Sequence, residues 1–150
     1  MTNTIAILNG PKLALLGKCD IKVYGEKTLQ DLELILKKEA CLLNITLSFF
    51  QSNHEGSLID KIENWFNGKE ISALVFNPGA YSHTSLALYD IIKGSKIPTI
   101  EVHISNIYKR ELFRRNSVIA SACLGTIAGL GFSSYVFALR YLCYFLKNLK

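Results

Sequence analysis

Short apolar runs rich in β-branched residues recur along this chain, and each breaks abruptly into polar residues. Residues 5–8 run into Asn9-Gly-Pro, and residues 45–50 into Gln51-Ser-Asn-His-Glu55. Residues 73–76 lead to Asn77-Pro-Gly-Ala-Tyr-Ser-His83, and residues 99–102 to Glu101-Val-His-Ile-Ser-Asn106. Runs of this length bounded by turn residues predict buried strands. Between them the apolar period changes to that of a helix. One helix is predicted over residues 28–43, with Leu29, Leu32, Ile35, Leu36, Leu42 and Leu43 inward and Thr28 with Asp31 as its N-terminal cap. Another is predicted around residues 57–67, with Leu58, Ile62, Trp65 and Phe66 inward, and a third near 85–93. A small-residue strand at about 122–128 precedes a terminal helix from Ser133.

Strand and helix alternating in this rhythm predict a parallel sheet covered on both faces. The expected fold is α/β: a flavodoxin-like, doubly wound, five-stranded parallel sheet in a three-layer sandwich. The chain reads as a single domain over residues 1–150, without repeats or linkers. Residues 10–27, rich in Gly and Lys, are too many for a plain strand-to-helix connection, and such loops are usually functional lids. Open α/β sheets hold ligands just past the strand ends. Four polar strand ends therefore predict one shared cleft, a small polar substrate and an enzyme.

Composition narrows the partners. With 150 residues, 49% of them apolar, the chain is long enough for a full core. A net charge of +5 is spread along the sequence apart from Lys109-Arg110 and Arg114-Arg115. No basic stripe interleaved with aromatics is present, so nucleic acid is not expected and an anionic small substrate accounts for the charge. The four cysteines, Cys19, Cys41, Cys123 and Cys143, have no metal-binding spacing, and no His/Asp/Glu pattern suggests a metal. No leader is recognisable at the N-terminus, so reduced thiols in a cytoplasm are expected. Residues 135–149 are strongly apolar but interrupted by Arg140 and Lys147, and shorter than the ~20 apolar residues a bilayer span takes. No membrane association is expected.

Two residues apart on a strand, Glu101 and His103 share a face. A carboxylate beside an imidazole sets its tautomer and makes His103 a candidate general acid. A satisfied core histidine would be the commoner explanation of such a residue alone; Asn77, His83 and Ser105 at neighbouring strand ends favour catalysis. Tyr24 lies in the lid. A free phenol titrates near 10, so it serves as a base only where cations stabilise the phenolate. Lys12, Lys18 and Lys22 are near in sequence, and Arg110 and Arg114 follow the His103 strand. Gly125-Thr-Ile-Ala-Gly-Leu-Gly131 resembles a phosphate loop only loosely, since it lacks the Lys-Ser/Thr pair. No nucleophile elbow occurs.

Taken together, several motifs closely resemble those of type II 3-dehydroquinate dehydratases. They are Asn9-Gly-Pro-x-Leu-x-Leu-Leu-Gly17, Tyr24-Gly25, Gln51-Ser-Asn-His-Glu-Gly56, the run from Asn77 to Ser85, Glu101-Val-His-Ile-Ser-Asn106, Arg110-x-x-Phe-Arg114 and Gly129-Leu-Gly131. The similarity extends from about Ile5 to Leu142. It implies a flavodoxin-like fold and an enzyme, without metal or cofactor, that removes water from 3-dehydroquinate to give 3-dehydroshikimate, in the shikimate route or in quinate breakdown. In that family a tyrosine removes a proton next to the ketone, an enolate forms, and a histidine protonates the departing hydroxyl. By motif position Tyr24 resembles that base and His103 that acid, with Glu101 and Asn9 in the catalytic set. Asn77, His83, Asp90, Ile104, Ser105 and Arg114 resemble the substrate-binding residues. Asp90 would come from a neighbouring subunit, so the resemblance also implies a homo-oligomer, a dodecamer of four trimers.

The lid departs from the pattern. Where the family has Gly-x-Arg-Glu/Asp-Pro-x-x-Tyr-Gly, this chain reads Gly17-Lys-Cys-Asp-Ile-Lys-Val-Tyr-Gly25. Cys19 stands in the place of the lid arginine that assists the tyrosine. Lys12 stands where the family usually has asparagine, so Lys12, Lys18 and Arg110 become the candidate cations for activating Tyr24. The alternatives are a degenerate member that binds dehydroquinate-like acids with low activity, or a non-catalytic flavodoxin-like binding domain.

Overall fold

The computed structural model describes residues 2–149. Five strands form one parallel sheet: β1 (Thr4–Asn9), β2 (Thr46–Gln51), β3 (Ala73–Asn77), β4 (Thr99–His103) and β5 (Gly125–Ala128), in the order β2-β1-β3-β4-β5. This is the flavodoxin-like order, with the switch point between β1 and β3. The helices are a short α1 (Ile21–Tyr24), then α2 (Leu29–Leu43), α3 (Glu55–Gly68), α4 (Leu86–Ser95) and α5 (Ser133–Asn148).

Strand alternation divides the core into two apolar layers. Ile5, Ile7, Ala73, Val75, Ile100 and Val102 pack against Leu32 and Leu36 of α2 and Tyr135, Ala138, Leu139 and Leu142 of α5. Their neighbours Ala6, Leu8, Leu74 and Phe76 pack on the opposite face against Leu58, Ile62 and Trp65 of α3 and Leu88 and Ile92 of α4. Both faces of β1 and β3 are therefore apolar over most of their length, as strands buried between helices require, whereas β4 turns Thr99, Glu101 and His103 to one face.

At the start of α2, Thr28 Oγ1 accepts from Asp31 N–H at 3.2 Å and Asp31 Oδ2 accepts from Thr28 N–H at 2.8 Å, the reciprocal cap anticipated from the sequence. Other expectations need correction. The fifth strand covers only Gly125–Ala128, because Ala120–Ala122 coil into a 3-10 turn before it. Leu42 and Phe66 are 80% and 49% exposed, not inward. Both fall in the last turns of their helices, where the apolar period continues past the sheet that could cover it. Within residues 10–27, the expected lid, Leu13–Leu15 form a 3-10 turn and Ile21–Tyr24 a helical one.

Where β1 and β3 end side by side, Gly10 N–H donates to Asn77 O at 2.8 Å. A Cβ at Gly10 would lie 2.5 Å from Pro78 O, so only glycine lets the two strand ends approach this closely.

Candidate active site

A cleft of about 230 Å³ opens past the C-terminal ends of β1, β3 and β4. The structure brings Lys12, Cys19, Tyr24, Asn77, His83, His103, Ile104, Ser105, Arg110 and Arg114 to its walls. These come from the lid, the turn after β3, the end of β4 and the segment that follows it. Of the other residues singled out in the sequence, Asn9, Lys18, Asp90 and Glu101 do not line it. Asn9 is 3% exposed and lies behind the cleft; Lys18 and Asp90 are exposed elsewhere on this chain. Glu101 is 0% exposed and sits beneath His103.

His103 Nε2 is 2.5 Å from Glu101 Oε1, and Ser117 Oγ donates to Glu101 Oε2 at 2.9 Å. Ser117 Oγ itself accepts from Ile119 and Ala120 N–H groups, both at 3.2 Å, which leaves its proton for the carboxylate. Glu101 therefore accepts through both oxygens, and His103 donates from Nε2. Its Nδ1 is the ring nitrogen left for the cleft. Ser117 carried no sequence signal, being a single serine in an irregular segment. His83 is set by a different partner: its Nδ1 lies 2.7 Å from the carbonyl oxygen of Asn116. A carbonyl can only accept, so Nδ1 carries a hydrogen and Nε2 is the ring nitrogen left for other partners.

Asn77 occupies the end of β3, where its Oδ1 accepts from Gly79 N–H at 3.1 Å and its Nδ2 donates to Tyr135 Oη at 2.8 Å. Tyr24 closes the cleft from α1, whose first turn is secured by its N–H donating to Asp20 O at 3.0 Å. Asp20 also pairs with Lys12, Nζ to Oδ2 at 3.1 Å. Arg114 pairs with Glu111 at 3.2 Å, outside the cleft. The lining includes three cations, Lys12, Arg110 and Arg114, and one carboxylate, Asp20, so its net charge is positive and suits an anion. Cys19, an exposed free thiol, shares these walls. Among the described residues no group of three or more His, Cys, Asp or Glu could hold a metal ion.

The family model for dehydroquinase class II matches residues 3–143. The chain belongs to the class II dehydroquinases. This dehydroquinase is 51% identical over 135 residues to a 3-dehydroquinate dehydratase of Caldicellulosiruptor saccharolyticus, covering 90% of this chain and 92% of the relative. It is 52% identical over 136 residues to a 3-dehydroquinate dehydratase of Bacillus pumilus, covering 91% of each. Among solved structures it is similar to the type II dehydroquinase of Butyrivibrio crossotus, with a TM-score of 0.91, 38% identity, and 94% and 97% of the two chains covered. The sheet order and the composition of the cleft in this dehydroquinase thus accompany similarity over nearly its whole length.

Proposed function

We infer that this chain is a 3-dehydroquinate dehydratase, a hydro-lyase that converts 3-dehydroquinate to 3-dehydroshikimate by anti-elimination through an enolate. The observation that carries the mechanism is the convergence of Tyr24 and the Glu101-supported His103 on one positively lined cleft. Tyr24, as phenolate, takes the proton from the carbon next to the ketone, and the electron pair moves into an enolate. The enolate then re-forms the ketone and expels the hydroxyl, which leaves as water with a proton from His103. A carboxylate beneath the ring supplies the counter-charge that a protonated imidazole needs, and it holds the ring in place. His83 and Asn77 would orient hydroxyl groups, while Ser105, Ile104 and Arg114 would hold the substrate carboxylate.

Asp90 would complete the cleft of a neighbouring subunit. Its exposure on α4, away from its own cleft, supports that reading and with it a trimer-based dodecamer. Four free cysteines suit a cytoplasmic enzyme, and among the described residues no helix is long and apolar enough to cross a membrane. Cys19 in the cleft favours a second, related reading in which turnover is low.

The test is direct. The purified protein is incubated with 3-dehydroquinate while the ultraviolet absorbance of the conjugated enone product is followed. Turnover that is lost in Tyr24→Phe and in His103→Ala supports the assignment. Turnover that survives both variants overturns those roles, and none in the parent favours the low-activity reading.

A further inference from the structure

The buried hydroxyl of Tyr135 is not explained by packing alone. Tyr135 is 0% exposed in the layer between α5 and the sheet. Alternation along β1 puts Asn9 in the row of Ile5 and Ile7, and alternation along β3 puts Asn77 in the row of Ala73 and Val75. Both rows face α5, and Asn9 and Asn77 are paired in register at the ends of adjacent strands. Tyr135 Oη donates to Asn9 Oδ1 at 2.6 Å and accepts from Asn77 Nδ2 at 2.8 Å, so one hydroxyl joins the two carboxamides.

The direction of this chain of bonds follows from its far end. Gly79 N–H, a backbone donor that cannot reverse, is 3.1 Å from Asn77 Oδ1. Asn77 must therefore turn its oxygen to Gly79 and its nitrogen to Tyr135. The phenol oxygen accepts there, which commits its proton to Asn9 Oδ1. Burial pushes the phenol well above its usual titration range, so the proton stays in place at any working pH. Asn77 Nδ2 carries two hydrogens. One is used on Tyr135, and the second is the donor left for the cleft that Asn77 lines.

We propose that Tyr135 is a positioning residue for the dehydratase reaction: Gly79 sets which end of the Asn77 carboxamide is the donor, and Tyr135, tied to Asn9, holds that donor in place for a hydroxyl or carboxylate oxygen of the substrate. The proposal rests on the reading that this cleft binds 3-dehydroquinate. Tyr135 touches no substrate; it acts through Asn77. In Tyr135→Phe a single 3.1 Å bond from Gly79 is left to orient the planar carboxamide, which then rotates more freely about its Cβ–Cγ bond.

Steady-state kinetics with 3-dehydroquinate on the parent, Tyr135→Phe, Asn77→Ala and the double variant test it. The expected result is a KM raised roughly three- to tenfold in Tyr135→Phe, the loss of about one hydrogen bond, with kcat changed less than about twofold. In the Asn77→Ala background the same substitution should change KM by less than about twofold, because its route of action is gone. A merely structural tyrosine would raise KM by the same factor in both backgrounds, or in neither, and either result overturns the proposal. Should Tyr135→Phe fail to fold, a neutron structure of the parent decides. Deuterium on the Asn9 side of Tyr135 Oη, with Asn77 Nδ2 pointing at it, is expected; the reverse polarity overturns the proposal. A parent without turnover would defeat the functional reading, while the neutron result would still judge the locked carboxamides.

Discussion

Lys12 Nζ lies 3.1 Å from Asp20 Oδ2, and this contact ties the segment after β1 to the residue from which the Tyr24 helix starts. Both residues hold left-handed backbone, with φ of 68° and 52°. The side chains are 71% and 49% exposed, so the pair contributes no more than about 1 kcal/mol. It is a weak latch on the lid, and Asp20 neutralises the very cation that the sequence offered for Tyr24.

Lys12→Asn should remove the latch without new strain, since asparagine adopts left-handed backbone more readily than lysine. We expect kcat/KM to fall about two- to threefold at low salt, with the difference fading at high salt as the pair is screened. The pH–rate profile should keep its position. A profile displaced to higher pH would instead identify Lys12 as the cation that activates Tyr24.

Cys19 lines the same cleft and brings no charge to it. Cys19→Arg places a guanidinium among these walls and should raise kcat at neutral pH, with the acidic limb of the profile moved down. Each pH unit of displacement corresponds to about tenfold in rate below the limb. An unchanged profile would show that Arg110 or another cleft cation already does this work.

The four thiols should separate by reactivity. Cys19 and Cys41 are exposed, whereas burial and the nearby Glu101 carboxylate push Cys123 up to about 12, and burial also raises Cys143. Iodoacetamide near neutral pH should therefore modify Cys19 and Cys41 first, as read by peptide mass spectrometry. Saturating 3-dehydroshikimate should protect Cys19 but not Cys41. Equal protection of both would place the ligand somewhere other than this cleft.

Glu101→Gln keeps the shape beneath His103 but removes the buried negative charge. Because Ser117 Oγ already accepts two backbone N–H groups, the new amide nitrogen has no ready acceptor there. We expect kcat to fall roughly a hundredfold, the range for a misplaced general acid, with KM little altered. Unimpaired kcat would dismiss the Glu101–His103 pair from the mechanism.

Stability should carry its own pH signature. Arg140 holds Glu39 bidentately between α5 and α2, Nε to Oε1 at 2.5 Å and Nη2 to Oε2 at 3.1 Å, and its guanidinium holds the Glu39 carboxyl below the ordinary 4.5. A depressed carboxyl contributes stability that is complete above the unfolded value and lost as pH falls through the folded one. Glu39→Gln should therefore lower Tm at pH 7, by up to about 1 kcal/mol in stability. The gap to the parent should close as acid protonates Glu39. A gap that persists in acid would assign the effect to packing.

The strands, the two-sided burial and the Thr28–Asp31 cap were legible because each depends on residues close in sequence. The Glu101–His103 pair was legible for the same reason, two positions on one strand being enough to share a face. The boundaries that failed, at residues 122–124, Leu42 and Phe66, lie where a local pattern continues beyond the element that covers it. A four-residue helix such as Ile21–Tyr24 is too short to show a period at all.

What the sequence determined by itself was the alternation of strand and helix, and therefore which polar residues stand at strand ends. Periodicity is written in neighbouring residues, and a parallel α/β sheet follows from it. Only the tertiary structure decided what meets at those ends. Tyr135 bonds Asn9 from 126 positions away, and Ser117 reaches Glu101 from an irregular segment. Lys12 meets Asp20 instead of standing free, and Asn9 falls behind the cleft while Cys19 enters it. Such contacts depend on how α5 docks and how the lid folds back, and these are set by the packing of the whole core.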